Sequence, residues 1–142
     1  MKLLRFGPAG QEKPGVTDSA GAIRDVSSIV ADYSPETLSP ELVETLRRTD
    51  LSALPAAPKD TRIGAPVSRI GHFIAIGLNY ADHAAETGAP IPKEPIIFSK
   101  APNCLSGPND DVKLPKGSVK GDWEVELAVV IGKRCDYVSE DE

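Results

Sequence analysis

The sequence predicts an α+β protein in which strands predominate. Three observations carry this. Short apolar or alternating runs such as "KLLRF", "FIAIGL", "IIFSK" and "LAVVI" recur along the chain. A single segment near residue 40 shows clear amphipathic helical spacing. Six prolines between residues 90 and 115 exclude long helices there.

Taken in order, "KLLRF" (2–6) reads as a first strand and "GPAGQEKPG" (7–15) as a turn-rich loop. "VTDSAGAIRDVS" (16–27) reads as two short strands around a hairpin turn at "DSAG". A helix is expected over 39–48. Ser39 is placed to cap it, Pro40 suits its first position, and Leu42, Val43 and Leu46 form one apolar stripe. Arg47 and Arg48 complement the dipole at its carboxyl end. "LSALPAAPKDTRIGAP" (51–66) has no clean period and reads as a linker, with the domain boundary near 55–68. The expected organisation is a small N-terminal αβ domain with its linker over 1–62, and a second, mainly β domain over 63–142. In the second, "HFIAIGLNY" (72–80), "IIFSK" (96–100), "DVKL" (111–114) and "GDWEVELAVVIG" (121–132) are the candidate strands.

The chain has 142 residues and a net charge of −5. That balance speaks against a nucleic-acid partner, which usually needs a basic face. Two cysteines without metal spacing fit a reducing, cytoplasmic setting. Arg5 breaks the apolar start, so no signal peptide is read, and no apolar run is long enough to span a membrane. Phosphate-binding glycine motifs and a nucleophile elbow are absent.

Two constellations could carry chemistry. In "GDWEVELAVVIG", Glu124 and Glu126 share one face of the expected strand, opposite Trp123, Val125 and Leu127. The "LAVVI" that follows predicts burial. Two like charges side by side in a buried site cost on the order of a few kcal/mol. A hard divalent cation would offset that; so would exposure on a solvated edge with Lys or Arg partners. In "GLNYADHAAETG" (77–88), Asn79 and Asp82 suggest a capping box and Gly88 a helix end. His83 and Glu86 then lie three apart on one face, where the carboxylate can orient the imidazole as a base. An inert surface contact gives the same spacing. His72, beside Phe73, reads as structural.

These segments together, "FIAIGLNYADHAAETG", "PKEPIIFSKAPNCLSGPNDDVKLP" and "DWEVELAVVIGK" in this order, resemble the fumarylacetoacetate hydrolase family. The resemblance implies a mixed β-sandwich roll after a small N-terminal domain, and a homodimer when full length. It implies Mg²⁺ or Mn²⁺ and small 2-oxo acid substrates. Glu124 and Glu126 then resemble two of three acidic metal ligands, and His83 with Glu86 the pair that activates water on a helix closing over the substrate. The metal would stabilise an enolate as a carbon–carbon bond breaks. The family's third acidic ligand, in a segment like N-D-V-S-x-R, has no counterpart here. Ser139 followed by Glu140, Asp141 and Glu142 reads as a helix cap and an acidic first turn. The sequence is therefore expected to be the first half of a longer protein. The opening "MKLLRFGPAGQEKPG" resembles members described as ureidoglycolate lyases, and decarboxylase and isomerase chemistry run in the same family. A catalytically inert or partner-complemented fragment is the alternative of another class.

Overall fold

The computed structural model describes residues 1–141. It is α+β with strands predominating, and it divides into two compact units. One is Met1–Ser68 with the residues from Gly107 on; the other is Arg69–Ser106.

The first unit is built on an antiparallel meander of β1 (Leu3–Phe6), β2 (Lys13–Thr17) and β3 (Ile23–Asp25). The β2–β3 turn is held by Asp18, whose Oδ1 accepts from the N–H groups of Ala20 and Ala22, both at 2.9 Å, while Gly21 takes φ +83°. Arg24 Nε donates to Asp18 Oδ2 at 2.8 Å and holds that carboxyl below its usual range. The hairpin lies where the sequence predicts it.

The expected 7–15 loop is shorter than predicted, because β2 already begins at Lys13 and takes in Pro14 and Gly15. The Val26 N–H donates to the Pro14 carbonyl at 3.1 Å, and the ladder ends there since proline has no N–H to return. Gly15 is required by close approach. A Cβ there would lie 2.9 Å from Phe6 Cδ1, 3.0 Å from Ile23 Cγ2 and 3.2 Å from Leu4 Cδ1. Gly15→Ala should therefore destabilise this unit by about 1–3 kcal/mol. The check is urea unfolding followed by circular dichroism, and an unchanged midpoint would remove the close-packing account.

Helix α1 (Pro40–Arg48) follows prediction: Ser39 Oγ accepts from Leu42 N–H at 3.3 Å, and Arg48 pairs with Glu44 one turn back at 2.8 Å. Leu46 is fully buried with Val16, Val26 and Tyr33 in the core, and Leu3, Ile29, Leu38, Leu42, Leu51 and Leu54 pack around them. Burying each such aliphatic side chain contributes about 2 kcal/mol. The Tyr33 hydroxyl donates to the Gly15 carbonyl at 3.1 Å, and burial pushes its pKa above the ordinary tyrosine range.

The expected linker is not free. Asp25 N–H donates to the Pro55 carbonyl and Ala57 N–H to the Ile23 carbonyl, so this stretch covers the outer edge of β3. Gly7 N–H donates to the Arg62 carbonyl and Gly64 N–H to the Arg5 carbonyl, covering the outer edge of β1. Prolines forbid a helix but leave carbonyls to accept edge hydrogen bonds, and the covered edges no longer invite foreign strands.

A line of charges ties this unit together. Asp32 receives two bonds from Arg5, at 2.7 and 3.1 Å, and Arg5 reaches Glu12 at 3.5 Å. Glu12 continues to Arg62 at 2.8 Å, and Arg62 grips Asp110 with two bonds. Asp110 also accepts from Gly107 N–H at 2.8 Å. None of this is visible in the sequence, where the five residues are far apart.

The second unit pairs β4 (Phe73–Gly77) with β5 (Ile96–Lys100), antiparallel, Phe73 opposite Lys100 and Gly77 opposite Ile96. Both strands are where the sequence puts them. Between them lies α2 (Ala81–Glu86). The Lys100 ammonium sits about 6 Å from the ring centres of both Phe73 and Phe98 on one face, a cation–π arrangement.

Two predicted strands are not formed. Residues 111–114 and 121–132 are irregular and exposed, against the expected pairing and burial of the latter. A strand needs a hydrogen-bonded neighbour, and among the described residues none pairs with either segment. Glu140 and Asp141 form a turn after Ser139; Glu142, the last residue of the expected acidic turn, lies outside the described residues. No helix among the described residues is long and apolar enough to cross a membrane.

Candidate active site

The approach to α2 is set by backbone geometry. Gly77 ends β4 against Ile96, whose Cγ2 a Cβ would meet at 3.2 Å. Leu78 then adopts φ +48°, in the left-handed region that side chains disfavour. Tyr80, extended at φ −117°, is the cap residue, and no side chain caps the helix. The expected capping box from Asn79 to Asp82 is therefore not made: the helix starts one residue later, and Asp82 Oδ1 accepts instead from the adjacent His83 N–H at 2.9 Å. The carboxyl end is as predicted. Gly88 takes φ +67°, and Ala89 N–H reaches back to the Ala84 carbonyl at 2.9 Å.

On this short helix His83 is half-buried and Glu86 exposed. They stand one turn apart on one face, the placement that the spacing predicts. Ala84 is the helix's buried anchor, and Thr87 Oγ1 donates to the His83 carbonyl at 2.9 Å. His72 is exposed at the mouth of β4.

Glu124 and Glu126 are both exposed in the irregular 121–132 segment. The shared strand face that would hold their carboxylates side by side is not formed here. They belong to the unit that contains α1, whereas His83 and Glu86 belong to the other. Among the described residues no group of three or more His, Cys, Asp or Glu is arranged to hold a metal ion. Cys104 and Cys135 are free and exposed.

The family model described as fumarylacetoacetate (FAA) hydrolase C-terminal matches residues 72–142, which take in β4, α2, β5 and the two glutamates of 121–132. The chain belongs to the fumarylacetoacetate hydrolase family. Among its relatives are "Putative hydrolase Bcenmc03_4750" of Burkholderia orbicola (strain MC0-3), 57% identical over 140 residues, and "Putative hydrolase Bcep18194_B0137" of Burkholderia lata, 56% identical over 140 residues. Each match covers 99% of this chain and 50% of the relative, so the chain spans about half the length of the curated family members it matches. A similar fold occurs in the crystal structure of "a putative HpcE protein from Mycobacterium smegmatis", with TM-score 0.57 and 27% identity, over 80% of this chain and 41% of that one.

Proposed function

We propose that the chain supplies part of the active site of a divalent-metal-dependent hydrolase that cleaves a carbon–carbon bond in a small 2-oxo acid of the acylpyruvate type. The observation that supports this most is the His83–Glu86 pair on one face of α2, within the family-matched stretch that also carries Glu124 and Glu126. In this reading His83 takes a proton from water and Glu86 orients the imidazole. The hydroxide attacks the acyl carbonyl, the bond from that carbon to the neighbouring methylene breaks with its electron pair leaving as the enolate of the second acid, and that enolate takes back the proton held by His83.

Glu124 and Glu126 offer hard oxygen donors, the type that Mg²⁺ and Mn²⁺ take. They fit in kind and fall short in number, since no third acidic or imidazole group joins them among the described residues. Glu124 and Glu126 would hold such an ion, and the chemistry it would supply is Lewis-acid stabilisation of negative charge developing on the substrate. Completion of the roll, a homodimeric assembly and a cytoplasmic setting belong to the same proposal, with neither nucleic acid nor membrane as a partner. Ureidoglycolate lyase, decarboxylase or isomerase chemistry would use the same residues and differ in products. A second reading, that the chain acts only when a partner complements it, is favoured by the exposure of the whole glutamate segment.

The test uses the chain alone and a single-chain chimera with the unmatched half of the B. orbicola relative. Calorimetric titration with Mn²⁺ should show little or no binding to the chain alone and tight binding to the chimera. The chimera should turn acylpyruvates into two carboxylic acids. Tight binding by the lone chain would overturn the two-ligand account, and glyoxylate with urea as products would move the reading to the lyase.

A further inference from the structure

Three residues, Leu78, Asn79 and Tyr80, join the end of β4 to the start of α2. The first turns the chain, with φ +48°, and the third is already extended, with φ −117° and ψ +133°. The chain leaves the helix through a second left-handed residue, Gly88 at φ +67°. A six-residue helix is thus held between two left-handed turns. At the exit the chain uses glycine, and φ is the sole demand there, since a Cβ would meet nothing within 4 Å. At the entry it keeps a leucine, whose Cβ crowds its own backbone in this conformation.

We propose that Leu78 is a positioning residue for His83: its left-handed backbone, rather than its side chain, sets the direction in which α2 leaves β4. The proposal rests on the reading of His83 as the base and adds to it the element that aims the imidazole.

A disfavoured conformation persists only where its surroundings fix it. Both sides of Leu78 are fixed. Upstream, Gly77 pairs with Ile96 at the end of the ladder and is crowded by the Ile96 side chain. Downstream, Ala84 is 1% exposed, and its N–H donates to the Tyr80 carbonyl at 3.2 Å. The Thr87 N–H and hydroxyl both donate to the His83 carbonyl, at 3.1 and 2.9 Å, and the Ala89 N–H donates to the Ala84 carbonyl at 2.9 Å. The Leu78 side chain is only half-buried, so the helix is held down by Ala84 and aimed by the backbone at 78. His83 lies five residues beyond this turn, and any change of direction there moves the imidazole with the whole helix. A misplacement of about 1 Å at a reacting group can cost about 10²-fold in rate.

Leu78→Asn and Leu78→Ile separate a backbone role from a packing role. Asparagine enters the left-handed region readily but is polar. Isoleucine keeps the apolar volume and, being β-branched, resists that region. In the 142-residue chain, hydrogen exchange at the Ala84, Thr87 and Ala89 amides should stay within about threefold of the parent in Leu78→Asn and speed up at least roughly tenfold in Leu78→Ile. The β4–β5 amides should keep their protection in both, so that a lost strand pair cannot imitate a displaced helix. In the chimera with the B. orbicola half, Leu78→Ile should lower kcat by roughly 10–10²-fold with KM little changed. Leu78→Gly, which admits the turn without a polar side chain, should rank with Leu78→Asn above it. The reverse order, with isoleucine matching the parent while asparagine and glycine fail, would assign Leu78 to packing and overturn the proposal. Equal kcat in all three variants, or loss of β4–β5 protection in Leu78→Ile, would overturn it as well. A parent chimera without turnover would sink the base reading instead, and the exchange order would still decide whether Leu78 directs α2.

Discussion

His83→Ala in the chimera should lower acylpyruvate turnover by about 10²–10⁴-fold, the range that a positioned general base contributes. The loss should fall on kcat more than on KM, since a base acting on water need not hold the ground-state substrate. Glu86→Gln should lose less, because the amide can still orient the imidazole but no longer stabilises its charged form. The measurement is steady-state kinetics with Mn²⁺ in excess, so that a metal defect cannot imitate a base defect. Turnover by His83→Ala within threefold of the parent would remove His83 from the role. The structure makes the substitution clean: His83 is half-buried on a short helix whose buried anchor is Ala84, and its side chain is outside the Val16–Leu46 core.

The largest effect on stability is expected at Arg5. Its guanidinium is 10% exposed and holds Asp32 and Glu12 at once. Arg5→Ala leaves Asp32 without its guanidinium while Glu12 keeps Arg62, and the loss costs about 3 kcal/mol for a largely buried pair. The pH dependence has a definite sign. Burial by itself would raise the Glu12 and Asp32 carboxyls; hydrogen bonds and charge from Arg62 and Arg5 outweigh it and hold both low. Asp110 is held low by its hydrogen bond from Arg62. A carboxylate lowered in the fold adds stability above its unfolded pKa, near 4, and loses it as pH falls through the folded value. Urea midpoints should therefore fall below about pH 4 in the parent, and fall less steeply in Arg5→Ala. Parallel pH profiles for the two proteins would refute the ionic account.

How much of this was readable depends on how local each cause is. α1 was legible because its cap, its Pro40 and its apolar stripe lie within one stretch of chain. β1, β4 and β5 were legible as short apolar runs. β2 was obscured by Pro14 and Gly15, whose turn propensity is overridden by a buried position against Phe6 and Leu4. The edge-covering role of 54–64 had no local signal, since prolines say what a segment cannot be and not what it lies against. The His83–Glu86 spacing was legible to the residue, although the helix start was one residue late because Leu78 turns the chain first. The 121–132 segment alternates as a strand does, yet it forms none among the described residues, because alternation in sequence does not supply the hydrogen-bonded neighbour that a strand needs. The charged line from Asp32 to Asp110 was invisible, because no rule of spacing links residues that only the tertiary fold brings together.

That line also imposes an order in time. Arg62 and Asp110 are 48 positions apart, and the whole of the 69–106 unit lies between them. During synthesis at about 5–20 residues per second, Arg62 emerges roughly 2–10 s before its partner. For that interval the β1–β2–β3 meander must stand without the clasp, sustained by Tyr33, Leu46 and their neighbours. The clasp then closes behind a unit already made, fastening a nascent protein whose first module has had time to fold.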